Sequence, residues 1–205
     1  MAIFSEQDKQ RIEARVAAAE QKTASEIVVA TVPRSDAYRD VRVFFALVFA
    51  LGSSAGLHLW MWWLDVGELL ALQLVLGLLG YFASGQATLL RLLLSRQRAS
   101  SAVQREAEVR FLEHAVFDTK ARNGVLILLS ELEHGVTILG DRGIHSRLQG
   151  AGWEAHVTTI VSAIRAGKPA EGVAQVIDAL ALVLAEQDPI QRDDANELPD
   201  GVREH

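Results

Sequence analysis

The sequence predicts a small layered α/β domain interrupted by a two-helix transmembrane hairpin. Three observations lead there. Val43–Leu64 carries no charged residue, and after the acidic break Asp65-Val66-Gly67-Glu68, Leu69–Leu90 carries none either; each run is 22 residues long. A helix needs about 20 predominantly apolar residues to cross a bilayer. Short aliphatic runs lie on both sides of this pair, at Glu26–Val32, Val125–Leu129 and Val136–Leu139, and read as buried strands. Segments with helical spacing alternate with them, which is the pattern of a layered α/β domain.

The chain opens with Ser5-Glu6-Gln7-Asp8, a capping hydroxyl followed by early acids, which predicts a helix start. Ile12, Val16 and Ala19 carry that helix to about Gln21. The strand Glu26–Val32 stops at Pro33, and Arg34-Ser35-Asp36 leads into the first apolar run. Beyond the hairpin, Val103, Ala107, Phe111, Leu112, Ala115 and Val116 mark an amphipathic helix over 96–119. Asn123-Gly124 is a turn. The second and third strands form a hairpin across Glu131–Gly135, and Gly140-Asp141-Arg142-Gly143 ends the third. Two helices follow, at about 153–166 and 169–186, with Pro169 suited to a first turn. Strands one and two are joined through a helix and so run parallel with a right-handed crossover; strand three is antiparallel to strand two. The domain is therefore discontinuous, residues 1–40 and 95–188, around spans at 43–64 and 69–90.

Charge sets the direction of the hairpin. Arg39 and Arg42 precede the first span, Arg91, Arg96 and Arg98 lie at or after the end of the second, and the connecting turn holds Asp65 and Glu68 without Lys or Arg. Cytoplasmic flanks are enriched in Lys and Arg, so both termini and the soluble domain are expected in the cytoplasm. Trp60, Trp62 and Trp63 stand at the outer end of the first span, where aromatic belts form. The membrane-interface residues are thus Trp60, Trp62, Trp63, Arg39, Arg42 and Arg91. His58 reads as interfacial, and Gly77, Gly80 and Gly85 suggest close packing of the two helices.

Composition excludes several classes. There is no cysteine, hence no disulfide, thiolate metal site or thiol nucleophile. The net charge is −6, and Glu186–His205 alone holds seven acids against two arginines. With Pro189, Pro199 and Gly201, residues 189–205 read as a disordered acidic tail. No basic stripe is left for a nucleic acid. His114, His134, His145 and His156 lack zinc-ligand spacing, and Ser130 and Ser146 lack a nucleophile-elbow context.

The stretch Glu20-Gln21-Lys22-Thr23-Ala24-Ser25-Glu26-Ile27-Val28-Val29 resembles the opening signature of TPM domains. Thr119–Leu128 resembles their second signature, and Glu131–Ile144 their third. The resemblance spans the soluble domain and omits the hairpin and tail. It implies an α/β sandwich, and a membrane-anchored member in the inner membrane of a bacterium. It also implies possible calcium or magnesium binding and weak phosphatase activity. The metal-associated pattern departs here: the start reads Phe4-Ser5-Glu6-Gln7-Asp8, and the places after the third strand read His145 and Gln149-Gly150-Ala151, leaving Asp141 as the acid. Calcium takes six to eight oxygens, usually including several carboxylates.

Topology gathers Thr23 and Glu26, Arg122 and Asn123, and Asp141, Arg142 and Gly143 at one sheet edge, expected to be distal to the membrane. Ligand-binding candidates are Glu26, Asn123, Asp141, Arg142 and Gly143, with Asp141 the metal candidate. Amides of the 140–143 turn with Arg142 would hold an anion, or Glu26 and Asp141 would share a cation. The plainer alternative has Asp141 capping the following helix and Arg142 pairing with Glu26 at the surface. No convergent catalytic set is present. The expected function is a non-enzymatic module, bound to the lipid bilayer and to another membrane protein, acting in membrane-protein assembly, repair or maintenance. The alternative is a divalent-metal-dependent phosphatase at that edge.

Overall fold

The computed structural model describes residues 3–144, 153–190 and 198–204. The chain divides into two compact units, residues 1–35 with 99–205, and residues 36–98.

The first unit is built on a mixed sheet. Its strands are β1 (Ile27–Val32), β2 (Val125–Ser130), β3 (Gly135–Gly140) and β4 (Arg203–Glu204), in the order β3-β2-β1-β4. β1 and β2 are parallel, β2 and β3 antiparallel, as the crossover and hairpin readings require. Every residue of β1 and β2 is buried, because both faces of the sheet are covered. Ile27, Val29, Val125, Ile127 and Leu129 share one core with α1 (Glu6–Glu20), α6 (Trp153–Arg165) and α7 (Pro169–Gln187). Val28, Ala30, Val32, Leu126 and Leu128 face the opposite way, onto Val103 and Ala107 of α5 (Arg96–Glu113). Alternate residues of a strand point to opposite faces, so one aliphatic run supplies two cores.

α1 begins with the expected cap. Ser5 accepts from the Asp8 amide, and Asp8 returns a bond to the Ser5 amide, a reciprocal capping box. Two expectations about this unit are corrected. The helix expected over 96–119 stops at Glu113, since Ala115 adopts a left-handed φ of 53° and the Val116 amide reaches back to the Phe111 carbonyl, a Schellman-type end. Residues 198–204, expected within a disordered tail, are ordered on the domain. Arg203 and Glu204 pair in parallel with Ala30 and Thr31, Leu198 and Val202 pack on the two cores, and Glu204 meets Lys9 at 2.8 Å. The exposed edge of β1 offers unpaired backbone groups, and the acidic composition did not report that edge. Residues 191–197 lie outside the described residues.

The second unit is a helical hairpin. α2 (Arg39–Trp60) and α3 (Val66–Ala83) are long and apolar enough to cross a membrane by length and composition. Asp65 caps α3, exchanging hydrogen bonds with Glu68. Gly80 permits close approach: a Cβ there would meet Phe49 Cδ1 at 3.0 Å and Ala46 Cα at 3.3 Å. Gln73 Nε2 donates to the buried Ser54 Oγ at 3.1 Å. The second apolar run is not one helix. Ser84 Oγ donates to the Tyr81 carbonyl at 2.8 Å, Ser84-Gly85-Gln86 turns, and α4 (Ala87–Leu93) starts anew. A hydroxyl competing for a helix carbonyl, followed by glycine, is sufficient cause. Trp60, Trp62 and Trp63 are strongly exposed at the turn, and Arg39 and Arg91 are exposed at the opposite end of the helices.

Candidate functional site

The register Ile27↔Val125↔Gly140 aligns the start of β1, the start of β2 and the end of β3. The Val125 amide donates to the Glu26 carbonyl at 2.8 Å and the Asp141 amide to the Gly124 carbonyl at 2.9 Å. Glu26, Gly124 and Asp141 therefore sit side by side, and the candidate residues do gather at one edge.

Asn123 is buried there, and its partner is one the sequence did not single out. Asn123 Nδ2 donates to Asp188 Oδ2 at 2.8 Å and to the Ala24 carbonyl at 2.6 Å. Ser25 Oγ donates to the same Asp188 oxygen at 3.0 Å, and Thr23 Oγ1 to the Asp188 carbonyl at 2.8 Å. The Ala24 amide also donates to that carbonyl. Asp188, at the end of α7, ties that helix to the entries of β1 and β2. It reads in the sequence as one acid of an acidic segment, and only its burial distinguishes it.

Asp141 is 8% exposed. Its Oδ1 accepts from the Arg142 amide at 2.6 Å, while its Oδ2 is buried without a hydrogen-bond partner among the described residues. Arg122 Nη1 stands 3.7 Å from that oxygen and donates instead to the Phe117 carbonyl at 2.8 Å. Arg122 has a left-handed φ of 55°, and its carbonyl accepts from the Gly143 amide at 3.0 Å. The Ile144 amide returns to the Asp141 carbonyl at 3.0 Å. The amides of Asp141, Arg142, Gly143 and Ile144 are thus all donated internally, and the turn presents none of them to an anion. Arg142 is exposed and does not pair with Glu26.

Glu26, 6% exposed, accepts from the Leu198 amide at 3.3 Å. Beside it, Glu20 Oε1 accepts from the Ile27 amide at 2.9 Å. Burial pushes the Glu20 carboxyl up to about 8; the Ile27 N–H opposes this, and Glu26 and Asp200 add to the rise. Glu20 thus keeps its proton at neutral pH and shares a hydrogen bond with Asp200. Glu20 and Asp200 are further members of this edge that sequence reasoning passed over, although Glu20 opens the first signature. Among the described residues, no three His, Asp or Glu side chains are placed to hold a metal ion. A neutral Glu20 and a guanidinium beside Asp141 are poor company for a cation. The described residues therefore do not fit the calcium or magnesium implied by the resemblance. His145 and Gln149-Gly150-Ala151 lie outside the described residues.

The family model for the TPM domain matches residues 1–49 and 93–183. This chain belongs to the TPM-domain family. The gap in the match, residues 50–92, falls within the helical hairpin unit. The fold is also similar to that of the BA42 protein from the psychrophilic bacterium Bizionia argentinensis, known by NMR, with a TM-score of 0.63 and 18% identity over 100% of this chain and 97% of that one. No curated protein matches this chain.

Proposed function

We propose that this chain is a membrane-anchored TPM domain that acts as a non-enzymatic binding or regulatory module in membrane-protein assembly, repair or maintenance. The hairpin spans a bacterial inner membrane, both termini and the TPM domain are cytoplasmic, and the partners are the lipid bilayer and another membrane protein. One observation carries this reading. The polar side chains at the sheet edge, Thr23, Ser25, Asn123 and Asp188, are consumed by one another, whereas α2 and α3 expose Phe44, Leu47, Leu74, Leu78 and Phe82. Contiguous exposed apolar surface marks a membrane or partner interface.

The rival, a divalent-metal-dependent phosphatase, needs more carboxylates converging on Asp141 than the described residues supply.

The absence of native cysteine makes the test direct. Single cysteines at Asp65 and at Ser35, in the full chain in right-side-out vesicles, should react with an impermeant maleimide at Asp65 only. Labelling of both, or the reverse pattern, overturns the topology. A photoreactive residue replacing the exposed Leu112 should yield adducts with integral membrane proteins. Phosphomonoester hydrolysis by the purified chain, abolished by Asp141→Asn, would instead establish the enzyme.

A further inference from the structure

We infer that the groove between α2 and α3 is a binding site for one anionic phospholipid, its phosphate held by Arg42 and Arg39 and an acyl chain lying along the groove. This rests on the membrane-spanning reading above.

The groove measures about 500 Å³ and is lined mainly by aliphatic side chains, among them Val43, Ala46, Ala50, Leu74 and Gly77, with Tyr81 at one end. Ala46 and Ala50 set it back on the α2 side and Gly77 on the α3 side, where larger side chains would close the space between the helices.

Charge identifies the occupant. Residues three and four apart share a helix face, so Arg39, Arg42, Val43, Ala46 and Ala50 form one continuous stripe along α2. Its two cations stand where the aliphatic lining ends. Arg42 lies over the Tyr81 ring, 4.2 Å from its centroid, and donates one hydrogen bond, to the Tyr81 carbonyl at 3.3 Å. A guanidinium has five N–H donors, and Arg42 Nε is buried with no partner among the described residues. Arg39 forms no ion pair among the described residues. The nearby acids are already answered, since Arg98 pairs with Asp36 at 3.6 Å and with Asp40 at 3.0 Å. Two arginines without carboxylates, one held rigidly by an aromatic face, suit a phosphate. A second copy of this helix would bring two more cations to the same place and leave all four unanswered. A zwitterionic lipid would bring its own cation. An anionic phospholipid supplies both the charge and the chain.

The test uses the full chain reconstituted into phosphatidylcholine bilayers, with incorporation checked first by flotation. Spin-labelled phosphatidylglycerol and phosphatidylcholine then report the fraction of lipid immobilised by the protein. The expected result is a preference for phosphatidylglycerol of roughly five-fold per arginine. Arg42→Gln and Arg39→Gln should each reduce it, and the double variant should abolish it. Ala50→Leu, which narrows the groove and leaves both arginines, should weaken retention of phosphatidylglycerol. Equal retention of the two lipids overturns the inference, as does a preference that survives the double variant. A disulfide-linked dimer of Leu74→Cys would give the groove to a second copy and overturn it too. Failure to float with the bilayer would remove the membrane reading itself, and would be seen before any lipid measurement.

Discussion

The carboxylate of Asp188 accepts a hydrogen bond from the side-chain amide of Asn123 at 2.8 Å, 65 positions apart in the chain. Through this contact the last turn of α7 closes over the entries of the two central strands. Asp188 is thereby a structural tie, and it holds Thr23, Ser25 and Asn123 at the edge beside it.

Truncating Asp188 to alanine leaves Asn123 and Ser25 buried with one partner fewer each. We expect a loss of about 1–3 kcal/mol, the usual cost of removing the partner of a buried polar group. Asn123→Ala should cost a similar amount. The double variant should fall short of the sum by at least about 1 kcal/mol, because the two residues share the bond. Urea unfolding of the full chain in detergent measures all three.

Glu20 makes stability depend on pH. Its folded pKa of about 8 lies above the ordinary 4.5, so between these values the unfolded chain releases a proton that the folded chain keeps. The contribution is fully present below about pH 4.5 and is lost as pH rises through 8. Glu20→Gln keeps an acceptor for the Ile27 amide and does not ionise. Relative to wild type it should gain on the order of 2 kcal/mol between pH 5 and pH 8.5, allowing for the partial exposure of the group. Parallel melting curves for the two proteins across that window would exclude the effect.

Gly124 leaves no room for a side chain, because a Cβ there would overlap the Val116 carbonyl and press on Val116 Cγ1 at 2.7 Å. Gly124→Ala should destabilise by roughly 1–3 kcal/mol through overpacking. The loss should appear as faster amide exchange at the start of β2 and around Asp141, whose amide bonds to the Gly124 carbonyl.

Asp65 caps α3 with the Glu68 amide at 2.8 Å. Asp65→Ala should cost about 1 kcal/mol, visible as fraying of the first turn of α3 by hydrogen exchange. Asp65→Asn should retain most of the cap.

Much of this architecture is legible along the chain. The runs Ile27–Val32 and Val125–Ser130 are aliphatic throughout because both faces are covered, and that is visible without coordinates. Ser5 with Asp8 announces α1, and the uncharged stretches announce α2 and α3. The break at Ser84–Gln86 is less visible, since serine and glycine are common inside apolar helices and only the bond to the Tyr81 carbonyl shows that this serine ends one. The candidate edge was legible as a location, because the hairpin and the crossover dictate which strand ends meet. Its chemistry was not. Whether the 140–143 amides are open to an anion depends on Arg122 and Gly124, which approach from the turn before β2.

By itself, then, the sequence determined which segments are apolar, which are periodic and in what order the strands connect, since these follow from local composition and chain connectivity. The tertiary structure alone decided that Asp188 is buried against Asn123, that Glu20 keeps its proton beside Glu26 and Asp200, and that Arg203 and Glu204 close the edge of β1. Those outcomes depend on desolvation and on contacts between residues far apart in the chain. Neither property belongs to a residue until the fold has placed its neighbours.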